Sequence, residues 1–196
     1  DVILEAMSST LLHACCGPCS TVAVPAWREL GVEPVAWFEN PNIQPAAERE
    51  RRRESMVRYS RAAALELILP ADREESEGWL AWRTGLAHAG PDERCVACLG
   101  LRLDAAGAAA RELGFARFST TLTVSPYQRH DIIVAAGETA ADRHGVDFIY
   151  VDARDRFRTS YAESRRLGLY RQPYCGCAAS KWEAWHARRS RRARRA

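Results

Sequence analysis

Short apolar runs alternate along this chain with apolar residues recurring every three or four positions, which predicts strands separated by single helices. Thr10-Leu11-Leu12-His13-Ala14 reads as a short buried strand, ended by the turn signal Gly17-Pro18. Ser20 to Leu30 then reads as a helix closed by Gly31, with Pro25 as an interruption. Val35-Ala36-Trp37-Phe38 predicts a second strand running into an Asn-Pro-Asn loop. Pro45 or Ala46 opens a charged helix to about Ala64, and Leu65–Leu69 predicts a third strand. Residues 71–94 carry little periodicity, though Trp79 and Trp82 can pin them onto the body.

The helical signal is strongest after Cys95, where Leu99, Leu103, Ala106, Ala110 and Leu113 share one face before Gly114 ends the run. Phe115–Thr121 predicts a strand, Gln128–His144 a helix closed by Gly145, and Asp147–Val151 another strand. A helix near Thr159–Leu167, a Tyr174-Cys175-Gly176-Cys177 turn and a final Trp-containing helix follow. This order predicts a three-layer α/β fold, a Rossmann-like parallel sheet of HUP type with a C-terminal helical extension. The expected organisation is an N-terminal extension over 1–9, one catalytic domain over 10–187, and a basic tail over 188–196. In such sheets ligands bind beyond the carboxyl ends of the strands, where the first cysteines of this chain fall.

Composition changes this picture in two places. Hydrophobic content of 47% and a net charge of +3 are ordinary, no apolar run is long enough to span a bilayer, and Asp1–Ser9 lacks the features of a secretory signal. The expectation is therefore a cytoplasmic protein with no membrane partner. The seven cysteines, however, fall in three tight groups, which in a reducing compartment favours metal or redox chemistry over structural disulfides. Arginine supplies nearly all the positive charge and concentrates in Arg51-Arg52-Arg53 and in residues 188–195. Such blocks are either solvated faces or the electrostatic footprint of nucleic-acid binding.

The first group, Cys15, Cys16 and Cys19, lies in the turn before a helix, where exposed backbone N–H groups favour thiolates and hence a metal. Cys95 and Cys98 form a C-x-x-C pair expected in the first turn of another helix, both on one face. Two such pairs offer four thiolates, which suit zinc or an iron–sulfur cluster, and spacing alone does not choose between them. Cys175-Gly176-Cys177 differs: two cysteines one residue apart close only a small, strained and easily reduced disulfide. Its other reading is a further pair of metal ligands. Cys16-Gly17-Pro18-Cys19 also matches a thioredoxin-type motif, but that reading leaves the remaining cysteines without a role.

Taken together, these segments resemble the epoxyqueuosine reductase family QueH. The matching stretches are 12–19 (Leu-His-Ala-Cys-Cys-Gly-Pro-Cys), 38–45 with Glu48 and Arg52, 94–98 with Arg102, 119–122 with Ser125-Pro126-Tyr127, and 168–177. The resemblance implies a cobalamin-independent oxidoreductase that reduces the epoxide of epoxyqueuosine to queuosine at the wobble position of tRNA. It implies a 4Fe-4S cluster on Cys15, Cys16, Cys95 and Cys98, with Cys19 beside it as a ligand to a second adjacent iron. It further implies a redox-active pair at Cys175 and Cys177, and an electron donor that the sequence does not name. Tyr127 and His13 are expected to serve the catalytic proton chemistry, and His130 and Tyr174 are further proton candidates. Asn40, Asn42, Arg52, Arg102, Tyr170, Arg171 and Tyr174 are expected to bind substrate. The other reading of Asn40 and Asn42 is a cap on the next helix, and Arg52, Arg102 and Arg171 divide evenly between phosphate contacts and a surface salt bridge. The departures from the family pattern fall at Arg49, Arg129 and Ala178-Ala179, none of them a proposed ligand. Two other functions fit parts of the pattern. One is a cluster-dependent tRNA sulfur-transfer enzyme, for which no Ser-Gly-Gly-x-Asp-Ser loop is present. The other is a zinc-stabilised nucleic-acid-binding module.

Overall fold

The structure is a computed structural model, and it describes residues 9–70, 77–85 and 89–193. Five parallel strands form one sheet in the order β3-β2-β1-β4-β5: β1 (Ser9–His13), β2 (Glu33–Trp37), β3 (Leu67–Ile68), β4 (Arg117–Thr120) and β5 (Asp147–Phe148). The helices are α1 (Gly17–Glu29), α2 (Ala46–Ala62), α3 (Glu77–Gly85), α4 (Pro91–Glu112), α5 (His130–His144), α6 (Phe157–Arg166) and α7 (Ala178–Ala193). The Rossmann-like three-layer arrangement expected from the strand–helix alternation is therefore present, with α7 as the C-terminal extension.

Strand pleat explains the two halves of the core. Successive side chains on β1 point to opposite faces, so Leu11 packs with Phe118, Leu99, Leu103 and Ile133 beneath α4 and α5. Leu12 packs on the other face with Val24, Trp27, Met56 and Tyr59 of α1 and α2. Because both faces are covered, β1 reads as a continuous apolar run. β1 pairs with β2 on one side (Leu11 opposite Val35) and with β4 on the other (Leu11 opposite Phe118). The strand order reverses at β1, so the segments leaving β1 and β4 diverge and open a crevice between them.

Several boundaries differ from the sequence expectation, each for a local reason. α1 starts at Gly17, because the Cys16 sulfur accepts the Cys19 N–H (3.4 Å) as an N-cap and Pro18 suits the first turn. Gly17 is required there, since a Cβ would lie 2.7 Å from the Ser55 carbonyl oxygen of α2. β4 ends at Thr120, whose hydroxyl accepts the Leu122 N–H (3.2 Å) and turns the chain into a 3-10 segment over Thr121–Val124. The edge strands β3 and β5 are two-residue ladders, shorter than Leu65–Leu69 and Asp147–Val151, because each has a neighbour on one side only. α4 begins at Pro91, which places Cys95 in its second turn and not its first. The arginine-rich segment continues α7 as helix through Ala193.

Candidate metal and redox site

Cys15 and Cys16 leave the carboxyl end of β1, and the opening turn of α1 brings Cys19 back beside them. The three sulfurs lie within 4.8 Å of one another, a spacing at which they can hold a metal ion. Around them the chain supplies hydrogen bonds that orient the sulfurs. Thr121, which opens the 3-10 segment after β4, accepts the Cys15 N–H (2.9 Å) and donates its hydroxyl to the Cys15 sulfur (3.1 Å). Gln172 donates its side-chain amide to the Cys16 sulfur (3.0 Å). The Cys15 and Cys16 sulfurs are 3.7 Å apart.

The electrostatics of the group are unequal. Hydrogen bonds from the Cys15 and Cys19 thiols, with further ones from the Cys19 N–H and Gln172, hold the Cys16 thiol well below its ordinary value against the cost of burial. Sharing that thiolate pushes Cys15 up to about 11, and the neighbouring sulfurs together with burial push Cys19 up as well. The Cys16 thiol thus ionises most readily of the three, and a set of three sulfur donors suits a thiophilic metal.

A cavity of about 440 Å³ opens in front of this triad and collects six of the seven cysteines from three separate parts of the chain. Cys15 and Cys19 line one side. Cys95, Cys98 and Arg102 of α4 line another, because spacings of three and four residues keep them on one helix face. Burial pushes the Cys98 thiol up to about 12. Cys175 and Cys177 close the third side. The Gln128 amide lies 3.6 Å from the exposed Cys175 sulfur, while the buried Cys177 sulfur accepts the Ser180 N–H (3.3 Å) at the start of α7. Within the 71–94 stretch, expected to be irregular, residues 77–85 form α3, whose Trp79 and Trp82 pack on Cys177.

The residues expected to bind substrate divide into two sets. Asn42, Arg171 and Tyr174 line the cavity, and Tyr127 stands at its rim, 83% exposed, with its ring edge-on to Phe157. Arg171 stacks on the Tyr161 ring at 3.4 Å. Asn40 and Tyr170 do not line the cavity. Asn40 donates to the Ala14 carbonyl (2.9 Å) and accepts from Arg102 (2.7 Å), and the Tyr170 hydroxyl donates to Glu48 (2.7 Å). Arg52 touches the cavity wall, with its donors on Glu48 and on the Tyr174 and Cys175 carbonyls. In each case the polar group is held by a partner within the fold.

The proton candidates separate in the same way. His13 is fully buried on β1, bonded to the Thr120 hydroxyl (2.8 Å) and outside the cavity lining. Burial, reinforced by the positive charge of Arg102, pushes it down to about 3, so it is neutral at physiological pH. His130 is bonded at both ring nitrogens, to Tyr150 and to the Ser125 carbonyl, and the Tyr174 hydroxyl donates to the Gln44 carbonyl. Gln172, Thr121, Gln44 and Arg94 had no role assigned from sequence beyond belonging to the matching stretches. Among the described residues, Asn42 Oδ1, Arg102 Nε, Arg94 Nε and Gln172 Oε1 are buried without a hydrogen-bond partner, and all four side chains line the cavity.

A second surface lies beside this site. α7 buries none of its residues and turns a stripe of Trp182, Trp185, His186 and Arg189 outward. Trp182 and Trp185 are 63% and 53% exposed, and the His186 ring lies 3.9 and 4.7 Å from theirs. Arg189 covers Trp185 at 5.5 Å.

Comparisons with known proteins bear on the fold and on the family. The solved structure of a predicted subunit of tRNA methyltransferase from Methanocaldococcus jannaschii is similar in fold. It has a TM-score of 0.50 and 12% identity, covering 80% of this chain and 74% of that one. The epoxyqueuosine reductase QueH of Dehalococcoides mccartyi is 36% identical over 88% of this chain and 92% of its own. That of Thermotoga maritima is 32% identical over 89% and 91%. The sequence model named for epoxyqueuosine reductase QueH matches residues 10–183, which takes in all three cysteine groups, and the chain therefore belongs to the QueH family of epoxyqueuosine reductases.

Proposed function

We propose that this oxidoreductase reduces epoxyqueuosine to queuosine at the wobble position of tRNA, in the cytoplasm, at the cavity where the three cysteine groups converge. That convergence is the observation supporting the reading: residues 15–19, 95–98 and 175–177, remote in sequence, wall one space. Cys15, Cys16, Cys95 and Cys98 would hold a 4Fe-4S cluster, and Cys19 would serve a second adjacent iron. When bound, such a group supplies electron relay and polarises an oxygen at an open iron position.

The chain's own residues account for the remaining requirements. Removing the epoxide oxygen as water takes two electrons and two protons. Oxidation of Cys175 and Cys177 from two thiols to one disulfide supplies both, and an external donor then restores the thiols. Tyr127 is the proposed proton carrier at the oxygen, because its phenol stands at the rim whereas His13 is buried outside the cavity lining and His130 and Tyr174 are bonded elsewhere. Asn42 and Gln172 present buried oxygens without partners and Arg102 a buried N–H, which suits recognition of a polar base edge. Arg171, flat on Tyr161, and Tyr174 complete the proposed substrate wall. The outward stripe on α7, with Arg191 and Arg192 beyond it, has the aromatic and cationic character that RNA strands bind.

The test is anaerobic reconstitution with iron and sulfide, metal and sulfide analysis, and turnover of an anticodon stem–loop carrying epoxyqueuosine. Bound iron and sulfide with conversion to queuosine is expected, and Cys98→Ser should lose the cluster and the activity together. Zinc without sulfide, or full turnover by cluster-free Cys98→Ser, would end this reading.

A further inference from the structure

Arg52 is 2% exposed, and so is its ion-pair partner Glu48, one helical turn earlier on α2 (2.9 Å). The second Glu48 oxygen accepts the Tyr170 hydroxyl (2.7 Å). A buried pair of this kind contributes little net stability, so its value lies in what the remaining donors fix. Those donors reach one place. Nη1 donates to the Cys175 carbonyl (2.7 Å) and Nη2 to the Tyr174 carbonyl (3.0 Å), with the guanidinium 5.2 Å over the Tyr174 ring.

The next carbonyl, of Gly176, accepts the Gln44 N–H (2.9 Å), and a Cβ on Gly176 would lie 2.8 Å from the Asn42 amide nitrogen. Three consecutive carbonyls are thus held while both sulfurs are free thiols. Closing a disulfide across one intervening residue requires the peptide planes between the sulfurs to turn, and the Cys175 carbonyl lies on one of those planes.

We propose that Arg52 is a positioning residue for the Cys175–Cys177 pair: its clamp on the Tyr174 and Cys175 carbonyls holds the open dithiol geometry and so favours the reduced form. The inference rests on the reading of this pair as a dithiol. In the couple concerned, two glutathione thiols form one glutathione disulfide while the Cys175–Cys177 bond breaks, two electrons and two protons passing to the protein sulfurs.

The experiment equilibrates the cluster-loaded enzyme anaerobically in glutathione buffers, quenches it in acid, alkylates it, and quantifies the peptide containing both cysteines by mass spectrometry. Arg52→Lys keeps the charge but cannot span both carbonyls. Half-reduction should then require a roughly tenfold higher ratio of squared glutathione to its disulfide, the size expected for the loss of one charge-assisted hydrogen bond. Tyr170→Phe, which only loosens Glu48, should shift the ratio less and in the same direction. A folded, loaded Arg52→Lys enzyme that half-reduces at the wild-type ratio or below it would overturn the clamp. If Arg52→Lys does not fold, unchanged ratios in Tyr170→Phe and Glu48→Gln overturn it instead. A wild-type enzyme that forms no Cys175–Cys177 disulfide at any ratio overturns the dithiol reading and this inference together.

Discussion

The side-chain amide of Gln172 donates to the sulfur of Cys16 at 3.0 Å, joining the segment before the last cysteine pair to the first cysteine turn. The bond helps to hold the Cys16 thiol below its ordinary value. Since Gln172 also lines the cavity, it links the cysteine triad to the space in front of it.

Replacing Gln172 with Leu should therefore weaken metal binding without unfolding the chain. Loss of a partner that orients a ligand costs roughly 10–100-fold in metal affinity. Chelator competition against wild type checks this, and an unchanged affinity would show that the Cys16 thiolate does not depend on Gln172.

Metal loading should rise with pH. Cys15 and Cys98 stand at about 11 and about 12, so at neutral pH both are protonated and must release their protons to bind. Affinity should climb by roughly tenfold per pH unit for each proton displaced, until competing hydroxide intervenes. Cobalt titrations at two buffered pH values, following the thiolate-to-metal absorbance, would refute this by giving one affinity at both.

Acid should destabilise the metal-free protein through His13. Its folded value of about 3 lies below the unfolded value of 6.5, so its contribution is complete above 6.5 and is lost as pH falls toward 3. Between pH 7 and 5 that loss is on the order of 2 kcal/mol. Urea unfolding at both pH values should show a smaller drop for His13→Gln than for wild type, and equal drops would remove His13 as the cause.

RNA binding should depend on the outward face of α7. Trp182→Ala with Trp185→Ala should cost about 1–3 kcal/mol for each base that stacks there. Exchanging Arg189, Arg191 and Arg192 for Ser should reduce the salt dependence, by about 0.7 in the log–log slope for each single-strand phosphate no longer neutralised. Fluorescence anisotropy with an anticodon stem–loop at several salt concentrations measures both, and unchanged affinity and slope would make the stripe incidental.

Much of this was legible in the chain, and the exceptions share one cause. The face shared by Cys95, Cys98 and Arg102 follows from helix geometry, and the position of Cys15 and Cys16 follows from the end of an apolar strand. Asn40 flanks the predicted cleft and Tyr170 lies in a matching stretch, which makes both candidate substrate contacts. They turn instead toward Ala14, Arg102 and Glu48. Nothing local distinguishes an arginine that meets a phosphate from one that, like Arg52, meets carbonyls more than a hundred residues away.

The sequence by itself determined the element order, the parallel α/β class and the grouping of the cysteines, because hydrophobic period and residue spacing act over one or two turns of chain. Packing alone settled that the three groups wall one cavity and that Arg52 holds the Cys175 loop. Those relationships depend on which buried polar atoms meet once distant segments pack. Each must find a partner or bear the cost of burial without one, and that requirement is settled by the whole fold and not by any stretch of it.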